Sequence, residues 1–327
     1  MTRELFKDVI EKIEQYYDVE VWDRYEPPSY EVLLKKFKDI DAAVTLLTDK
    51  IDANLLQQAK KLRIIAQYAV GYDNIDVETA TKLGIYVTNT PGVLTEATAE
   101  LTWALIMSVC RRIVEADHFV RWGEWWRKRT GWHPKMMLGV ELYGKTLGII
   151  GLGRIGSRVA EIGRKAFNMK VIYYDIVRKP ELEEKLGVEY RDLDQLLAES
   201  DIISIHTPLT KETYHMINEE RLKKVKKGAI LVNTARGAVI DTDALIKALR
   251  EGWIAAAGLD VFDQEPLPLN HPLTAFKNVI LVPHIGSATY ETRHKMAELV
   301  AENLIAFYEG REPPTLVNKE VLKVRAP

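Results

Sequence analysis

Short apolar runs alternate with segments of helical periodicity along the whole chain of 327 residues. Such alternation is typical of βαβ units that build a parallel sheet. In the first third, the apolar runs predict strands at 18–22, 42–47, 63–70 and 85–90. A long helical stretch follows from about Thr95 to Arg121, and it predicts a rigid connection between two lobes.

A second α/β series begins after this helix. It predicts a helix over 154–167 and strands at 146–151, 170–175, 201–207, 229–235, 256–261 and 278–284. Several of these runs are apolar without alternation, as expected of strands that helices cover on both faces. Beyond His284, apolar positions recur at helical spacing, and we expect this last helix to return to the first lobe. The pattern therefore predicts an α/β protein with two parallel-sheet domains.

Composition and charge narrow the range of partners. Hydrophobic residues make up 47% of the chain and charged residues 28%, which is ordinary for a folded globular protein. The 45 Lys and Arg balance 47 Asp and Glu, so no net basic field favours nucleic acid. The longest apolar stretch, 101–110, is shorter than the roughly 20 residues of a membrane span, so we expect no membrane partner. A single cysteine, Cys110, and the lack of a secretory leader pattern predict a cytoplasmic protein.

A glycine-rich motif follows the predicted strand at 146–151 and opens the predicted helix at 154–167. It reads Gly151, Leu152, Gly153, Arg154, Ile155, Gly156. The first glycine allows a tight turn, the second lets the backbone approach a pyrophosphate, and the third lets helix and strand pack closely. The full context of strand, turn and helix therefore predicts a dinucleotide site rather than a structural turn alone.

An acidic residue indicates which dinucleotide is preferred. Asp175 ends the next strand, about 20 residues after the motif, where a carboxylate can accept hydrogen bonds from a ribose diol and repel a 2′-phosphate. We therefore expect NAD(H) to be preferred. Arg178 and Lys179 follow closely and leave NADP(H) open.

Three charged or titratable residues follow later strands of the second series. Arg236 lies in NTARG, Glu265 in the turn DQEP, and His284 ends the run NVILVPH. Each alone has an ordinary structural explanation, but open α/β sheets place their ligands at the carboxyl ends of strands. Together they can transfer hydride: Arg236 binds a carboxylate and its neighbouring carbonyl, His284 protonates the carbonyl oxygen, and Glu265 stabilises the imidazolium.

Seven motifs follow one another along nearly the whole chain. They are AVGYDNID (69–76), GLGRIG (151–156), HTPLT (206–210), NTARG (233–237), GLDVF (258–262), DQEP (263–266) and PHIGSAT (283–289). In this order they resemble the D-isomer-specific 2-hydroxyacid dehydrogenase family, most of all its archaeal glyoxylate and hydroxypyruvate reductases. The resemblance implies two Rossmann-like, doubly wound parallel-sheet domains with a cleft between them. A flavodoxin-like substrate domain would span 1–98 with 290–327, and an NAD-binding Rossmann domain with a dimerisation arm would span 99–289.

The resemblance also implies roles for individual residues. It makes Arg236, Glu265 and His284 catalytic, and it assigns the substrate carboxylate to the backbone N–H groups of Val70 and Gly71. The residues implied to surround the coenzyme are Gly151, Gly153, Arg154, Ile155, Gly156, Asp175, His206, Thr207, Pro208, Thr234, Ala235, Arg236, Asp260, His284 and Gly286. The implied reaction moves hydride from a reduced nicotinamide to a small 2-oxo acid and gives a D-2-hydroxy acid.

The segment 123–139 is similar to the arm that reaches the partner subunit's active site in glyoxylate reductases. The similarity implies a homodimer with Trp132 near the substrate, whereas dimer packing alone equally explains Trp122, Trp125 and Trp126. Related chains begin with a full strand ahead of the sequence corresponding to TREL, so we expect either a shortened first strand or a misplaced start site here. NADP-preferring glyoxylate reductases tend to carry a small polar residue and a basic residue where this chain has Asp175-Ile176.

Other activities share this pattern. Phosphoglycerate, D-lactate and phosphite dehydrogenases have the same triad, and some relatives are NAD-binding corepressors rather than enzymes. A complete triad with a complete carboxylate loop favours an enzyme. No metal is expected, because the seven histidines lack paired-ligand spacing.

Overall fold

The computed structural model describes residues 1–324 and contains both helices and strands throughout that range. The strands are β1 (Ala42–Thr45), β2 (Ile64–Gln67), β3 (Tyr86–Thr88), β4 (Thr146–Ile150), β5 (Lys170–Tyr174), β6 (Glu189–Tyr190), β7 (Ile202–Ile205), β8 (Ile230–Asn233), β9 (Ala256–Leu259) and β10 (Val279–Leu281). The helices are α1 (Lys7–Glu14), α2 (Tyr30–Lys36), α3 (Ala53–Gln58), α4 (Val77–Lys82), α5 (Thr95–Cys110), α6 (Ile113–Arg121), α7 (Glu124–Lys128), α8 (Arg154–Phe167), α9 (Pro180–Leu186), α10 (Leu193–Glu199), α11 (Glu219–Leu222), α12 (Thr242–Glu251), α13 (Tyr290–Tyr308) and α14 (Val321–Val324). Within this range, no helix has the length and apolar character needed to cross a membrane.

The chain divides into two compact units. The discontinuous unit comprises Met1–Leu94 and Ser287–Pro327, and the central unit comprises Thr95–Gly286. The whole of α5 belongs to the central unit, so the division falls a few residues before the predicted boundary at 98/99. The helix packs against β9 there, where Gly258 leaves room for Val109 and Leu105.

The discontinuous unit contains a parallel sheet in the order β1-β2-β3. Ala43 of β1 lies opposite Ile65 of β2, which lies opposite Val87 of β3, and all three side chains are buried. One apolar cluster packs α1 and α13 against this sheet, including Val9 and Leu304. The last helix therefore returns to the first lobe, as its apolar spacing predicted.

The predicted strand at 18–22 is wrong. These residues are irregular, although the N–H of Trp22 donates to the carbonyl of Met1 at 2.9 Å. Thr2 in turn donates its N–H to the carbonyl of Val44 in β1 at 3.1 Å. These two backbone hydrogen bonds link the segment to β1 through Met1 and Thr2, but they do not form a continuous ladder.

The central unit contains a sheet in the order β10-β9-β8-β7-β4-β5-β6. All its neighbouring strands are parallel. The chain moves outward from β4 through β5 to β6, then crosses back to β7 beside β4 and continues outward to β10. The strand order therefore reverses between β4 and β7, and this is the position where open α/β sheets bind ligands. The short β6 was not predicted, because its two residues form no apolar run.

The long helix predicted from Thr95 to Arg121 is interrupted. Arg112 has a left-handed backbone with φ of 54° and separates α5 from α6. Its guanidinium donates to both carboxylate oxygens of Glu115, at 2.9 and 2.6 Å, which stabilises the start of the second helix. The apolar pattern continued across this break and concealed it.

Small residues let α8 approach α5 and β4 closely. A Cβ added at Gly163 would lie 2.9 Å from Leu147 of β4 and 3.2 Å from Trp103 of α5. The indole of Trp103 stacks on Phe167 at 4.6 Å between ring centres and donates to the carbonyl of Val159 at 3.2 Å. This packing holds the middle and the end of α8 against β4 and α5.

Candidate active site

The glycine-rich loop after β4 has the shape that its sequence predicted. Gly151 has φ of +94°, and an added Cβ would lie 2.8 Å from the carbonyl oxygen of His206. A Cβ at Gly156 would lie 2.0 Å from the carbonyl oxygen of Gly151. At Gly153, by contrast, a Cβ would meet no described atom within 4 Å. Two glycines therefore serve the packing of the loop, and the third leaves open space above it.

Helix α8 begins at this open space. Gly153 is its N-cap and supplies no side-chain cap for the first N–H groups, which include those of Ile155 and Gly156. The hydroxyl oxygen of Thr207 is buried and has no hydrogen-bond partner among the described residues. The methyl carbon of the same side chain lies 3.0 Å from the Cβ position of Gly151. The N-terminus of α8 thus has uncapped N–H donors, and the unsatisfied hydroxyl of Thr207 lies beside the same glycine-rich loop.

Asp175 is fixed at the end of β5, next to the same loop. Its Oδ2 accepts a hydrogen bond from the N–H of Leu152 at 2.9 Å. The same oxygen forms an ion pair with the ammonium group of Lys179 at 2.8 Å. The other basic residue, Arg178, donates two hydrogen bonds of 2.8 Å to Glu183. The bonds from Arg178 and Tyr173 lower the pKa of Glu183 to about 2. Both basic side chains are therefore already paired with carboxylates.

The segments that follow the strands share one edge, because all the strands are parallel. Along this edge the order is Asp175 after β5, the glycine-rich loop after β4, His206 after β7, Arg236 after β8, Glu265 after β9 and His284 after β10. The switch point lies in the middle of this row. Asp175, the residue predicted to bind the ribose, therefore lies on one side of the glycine-rich loop. The three catalytic candidates lie on the other side.

His284 and Glu265 form a hydrogen-bonded pair. The imidazole Nδ1 lies 2.7 Å from Oε2 of Glu265, and the N–H of Phe262 donates to Oε1 at 3.0 Å. Burial raises the pKa of Glu265, but the bond with His284 and the charges of His284 and Arg236 outweigh it, so the pKa is lowered overall. Glu265 is therefore held as a carboxylate. Because Nδ1 faces it, Nε2 is the ring nitrogen left for another partner.

Asp260 shapes the loop that carries His284. Its buried carboxylate accepts the N–H of Ile285 at 2.6 Å and that of Gly286 at 2.9 Å, and its carbonyl accepts the N–H of His284 at 2.9 Å. These bonds accompany a left-handed backbone at His284, with φ of 54°. Burial raises the pKa of Asp260 to about 6, although the two N–H groups and His284 oppose this rise. Only a coenzyme role was predicted for Asp260, and its hydrogen bonds to the His284 loop could not be predicted from residue type.

The turn that carries Arg236 packs tightly against the segment after β9. A Cβ at Gly237 would lie 1.9 Å from the carbonyl carbon of Phe262, so the glycine of NTARG is required by packing. Asn233 holds the turn by donating to the carbonyl of Arg236 at 2.8 Å and accepting the N–H of Ala235 at 3.0 Å. Thr234 shares a buried hydroxyl contact of 2.9 Å with Thr102 of α5. Sequence reasoning missed Gly237, although its place directly after Arg236 was a usable signal.

His206 is a neutral residue at ordinary pH. Burial lowers its pKa to about 3, and its Nε2 lies 2.8 Å from the hydroxyl of Ser204. Its N–H donates to the carbonyl of Ile150 at 2.7 Å, and Thr207 and Pro208 follow it past the glycine-rich loop. This segment follows β7, the strand beside β4 at the switch point.

The remaining predicted site residues lie elsewhere. Val70 and Gly71 belong to the loop after β2, in the discontinuous unit. Trp132 follows α7 in the central unit, and its side chain is 83% exposed. Within residues 1–324, no group of three or more His, Cys, Asp or Glu side chains could hold a metal ion.

Comparison with known proteins gives the same family along the whole chain. Residues 103–286 match the family described as "D-isomer specific 2-hydroxyacid dehydrogenase, NAD binding domain". A glyoxylate reductase of Aeropyrum pernix is 69% identical over all 327 residues and is covered to 97% of its own length. A glyoxylate reductase of Thermococcus litoralis is 62% identical over the same residues, with 98% of its length covered.

A solved structure shows the same fold. The crystal structure of a Thermus thermophilus protein is 48% identical and superimposes with a TM-score of 0.89. The alignment covers 97% of this chain and 98% of that one. The Rossmann architecture predicted for the central unit is confirmed, and the matched region makes it an NAD-binding domain. The chain belongs to the D-isomer specific 2-hydroxyacid dehydrogenase family.

Proposed function

We propose that this protein reduces glyoxylate and hydroxypyruvate with a reduced nicotinamide coenzyme, giving glycolate and D-glycerate. The observation that carries the proposal is the His284–Glu265 pair, 2.7 Å apart, on the β8–β10 side of the glycine-rich loop. The names of the relatives with 62–69% identity support the substrate class. The discontinuous unit would bind the substrate and the central unit the coenzyme.

The three catalytic candidates have distinct tasks in this reaction. The planar guanidinium of Arg236 can bind the carboxylate and the adjacent carbonyl oxygen of a 2-oxo acid. Protonated His284 gives its Nε2 proton to that oxygen as hydride reaches the carbonyl carbon. Glu265 remains ionised, accepts the Nδ1 proton in a hydrogen bond and stabilises the imidazolium before transfer. Hydride and proton together convert the carbonyl into a hydroxyl group.

The residues of the central unit fit a nicotinamide dinucleotide, which supplies the hydride when bound. The open space at Gly153 and the uncapped N–H groups of α8 suit a pyrophosphate. The unsatisfied hydroxyl of Thr207 beside them suits a polar ligand. We assign the adenosine ribose to Asp175 and the nicotinamide end to the side with Arg236 and His284.

NADH is the proposed coenzyme, with NADPH used less well. Asp175 presents a carboxylate at the end of β5, where a 2′-phosphate would be repelled. The ammonium group of Lys179 lies 2.8 Å from this carboxylate and partly neutralises it. Lys179 is therefore already paired with Asp175. Arg178 is engaged by Glu183 in the same way. Neither cation is therefore poised for a 2′-phosphate without first giving up a carboxylate.

A homodimer is the proposed assembly. Several large apolar side chains of α6, α7 and the following loop are exposed in one chain: Ile113, Val120, Trp122, Trp125, Trp126, Trp132 and Leu138. Apolar surface of this extent favours burial against a second copy. In this arrangement Trp132 would approach the substrate of the partner subunit. We also propose a cytoplasmic location, because the single cysteine, Cys110, is a buried free thiol and can form no internal disulfide.

A panel of 2-oxo acids tests the proposed function. We expect glyoxylate and hydroxypyruvate to give a higher kcat/KM with NADH than pyruvate or 3-phosphohydroxypyruvate. A higher kcat/KM with pyruvate or 3-phosphohydroxypyruvate would show that the proposed substrate is wrong, while the proposed reaction type would stand. Coenzyme binding without turnover of any of the four would support a corepressor-like module instead.

A further inference from the structure

The loop that carries Val70 and Gly71 is held through its carbonyl oxygens. The N–H of Thr90 donates to the carbonyl of Ala69 at 2.8 Å. The side-chain Nδ2 of Asn89 donates to the carbonyl of Val70 at 2.8 Å. Both donors come from the segment directly after β3, so one short stretch of chain fixes two successive peptide groups.

These bonds determine where the loop's N–H groups point. A trans peptide group is planar, and its C=O and N–H point in opposite directions. The bond to the Ala69 carbonyl therefore orients the N–H of Val70, and the bond to the Val70 carbonyl orients the N–H of Gly71. These two N–H groups are the ones that the proposed function assigns to the substrate carboxylate. Asn89 is the only one of the two donor residues that acts through its side chain, so it can be removed by substitution.

Asn89 is itself held in place by the C-terminal part of the chain. The hydroxyl of Thr315 donates to the carbonyl of Asn89 at 2.6 Å. Thr315 is in turn fixed by Asn303 of α13, which accepts its N–H at 3.1 Å and donates to its hydroxyl oxygen at 2.7 Å. Asn303 is completely buried. The backbone of Asn89 is thus held by a chain of hydrogen bonds that leads to a buried side chain of α13.

We propose that Asn89 is a positioning residue for the substrate carboxylate and acts through the Val70–Gly71 peptide group. The inference rests on the proposed function, because it assumes that this loop receives the carboxylate. Without the Asn89 amide, the peptide group loses the bond that holds it, and the N–H of Gly71 is no longer aimed. The residues proposed for proton transfer, His284 and Glu265, have their own contacts within the central unit and keep them.

Asn318 offers a matched control in the same unit. Its side chain is 2% exposed and makes three hydrogen bonds of 2.9 Å, to Thr81, Ile85 and Val87. Asn318→Ala therefore removes at least as many buried hydrogen bonds as Asn89→Ala, but it does not touch the Val70–Gly71 peptide group. A difference between these two variants separates positioning from general stability.

The test compares wild type, Asn89→Ala and Asn318→Ala by steady-state kinetics, thermal unfolding and the dissociation constant of oxamate, an unreactive carboxylate analogue, in the presence of NADH. We expect Asn89→Ala to raise the KM for glyoxylate and the oxamate dissociation constant by about tenfold, the worth of one hydrogen bond. Its kcat should fall much less, and its KM for NADH should stay near wild type. Asn318→Ala should lower the Tm without raising the KM for glyoxylate or the oxamate dissociation constant. Asn89→Leu, which keeps the volume without the donor, repeats the measurement if Asn89→Ala does not fold.

Two results would overturn the inference. One is an unchanged oxamate constant in folded Asn89 variants, and the other is an equal rise in Asn318→Ala. A wild type that binds oxamate but does not reduce glyoxylate would instead refute the proposed function, and the oxamate constants would still decide the role of Asn89. A wild type that does not bind oxamate would refute the inference.

Discussion

Two loops at the carboxyl edge of the central sheet obtain their shapes in opposite ways. The loop after β4 depends on missing side chains, since a Cβ at Gly156 would lie 2.0 Å from the carbonyl oxygen of Gly151. The loop after β10 depends on a buried acceptor, since the carboxyl oxygens of Asp260 accept the N–H groups of Ile285 and Gly286. Spaced glycines are visible in a sequence, whereas a structural carboxylate looks like any other aspartate. The comparison shows why the first loop could be predicted in detail and the second only in outline.

The largest effect should come from the residue that the second loop presents. His284→Ala removes the proposed proton donor and should lower kcat by about 10²- to 10⁴-fold. The dissociation constant of NADH should change little, because the glycine-rich loop is untouched. Steady-state kinetics and fluorescence titration with NADH measure the two quantities. A kcat within a few-fold of wild type would remove His284 from the mechanism.

Asp260→Asn tests the support of that loop. The amide keeps one acceptor but turns a donor toward a backbone N–H, which should cost about 1–3 kcal/mol of the free energy of unfolding. We also expect kcat to fall, because His284 is less well held. Urea unfolding and steady-state kinetics measure the two effects. An Asn variant with wild-type stability and kcat would show that the loop does not need both carboxyl oxygens as acceptors.

The same variant has a predicted pH dependence. Burial raises the pKa of Asp260 to about 6 in the folded protein, above its ordinary value, so the folded state binds this proton more tightly than the unfolded state. The resulting contribution to stability is fully present at low pH and is lost as the pH rises through about 6. The stability difference between wild type and Asp260→Asn should shrink over this range. A difference that grows with pH would contradict the raised pKa.

Two alanine variants compare a packed position and an open position within the loop after β4. Gly156→Ala meets the Gly151 carbonyl and should lose about 1–3 kcal/mol of stability by overpacking. Gly153→Ala meets no described atom within 4 Å, so it should fold normally and lose NADH affinity instead. Thermal unfolding and NADH titration of both variants separate the two roles. Equal losses of stability would mean that the loop has no open position.

A smaller effect is expected in the choice of coenzyme. Asp175→Asn keeps the shape of the side chain but removes the charge, so the kcat/KM ratio of NADH over NADPH should fall by about tenfold, roughly one lost charge interaction. Arg178→Ala is the control and should leave the ratio unchanged, since Arg178 is paired with Glu183. A wild type that prefers NADPH would show that Asp175 does not select the coenzyme.

The sequence predicted most of the sheet because its strands are apolar on both faces. Residues such as Ile149 and Ile203 are fully buried between helix layers, and a continuous apolar run is the direct consequence. The prediction of elements failed where an apolar run did not form a paired strand or a continuous helix. Residues 18–22 are irregular, since their apolar run makes isolated backbone hydrogen bonds and not a ladder. The break at Arg112 falls inside a continuing apolar pattern.

The candidate site was predicted unevenly for a related reason. Gly151, Arg236 and His284 occur in motifs, and their chemistry can be read from residue type and spacing. The roles of Asp260 in the His284 loop and of Asn89 in the carboxylate loop depend on hydrogen bonds to peptide groups. Any aspartate or asparagine can make such bonds, and only coordinates show which ones do.

The pH dependence of reduction in Glu265→Gln tests the central claim most directly. Reduction requires protonated His284, and the carboxylate of Glu265, whose own pKa is lowered by this pairing, favours that form. Glutamine keeps the shape but removes the charge that stabilises the imidazolium, so the pH at which kcat falls off should move downward. An unchanged pH profile in a correctly folded Glu265→Gln enzyme would contradict the account, because Glu265 would then not control the proton that His284 donates.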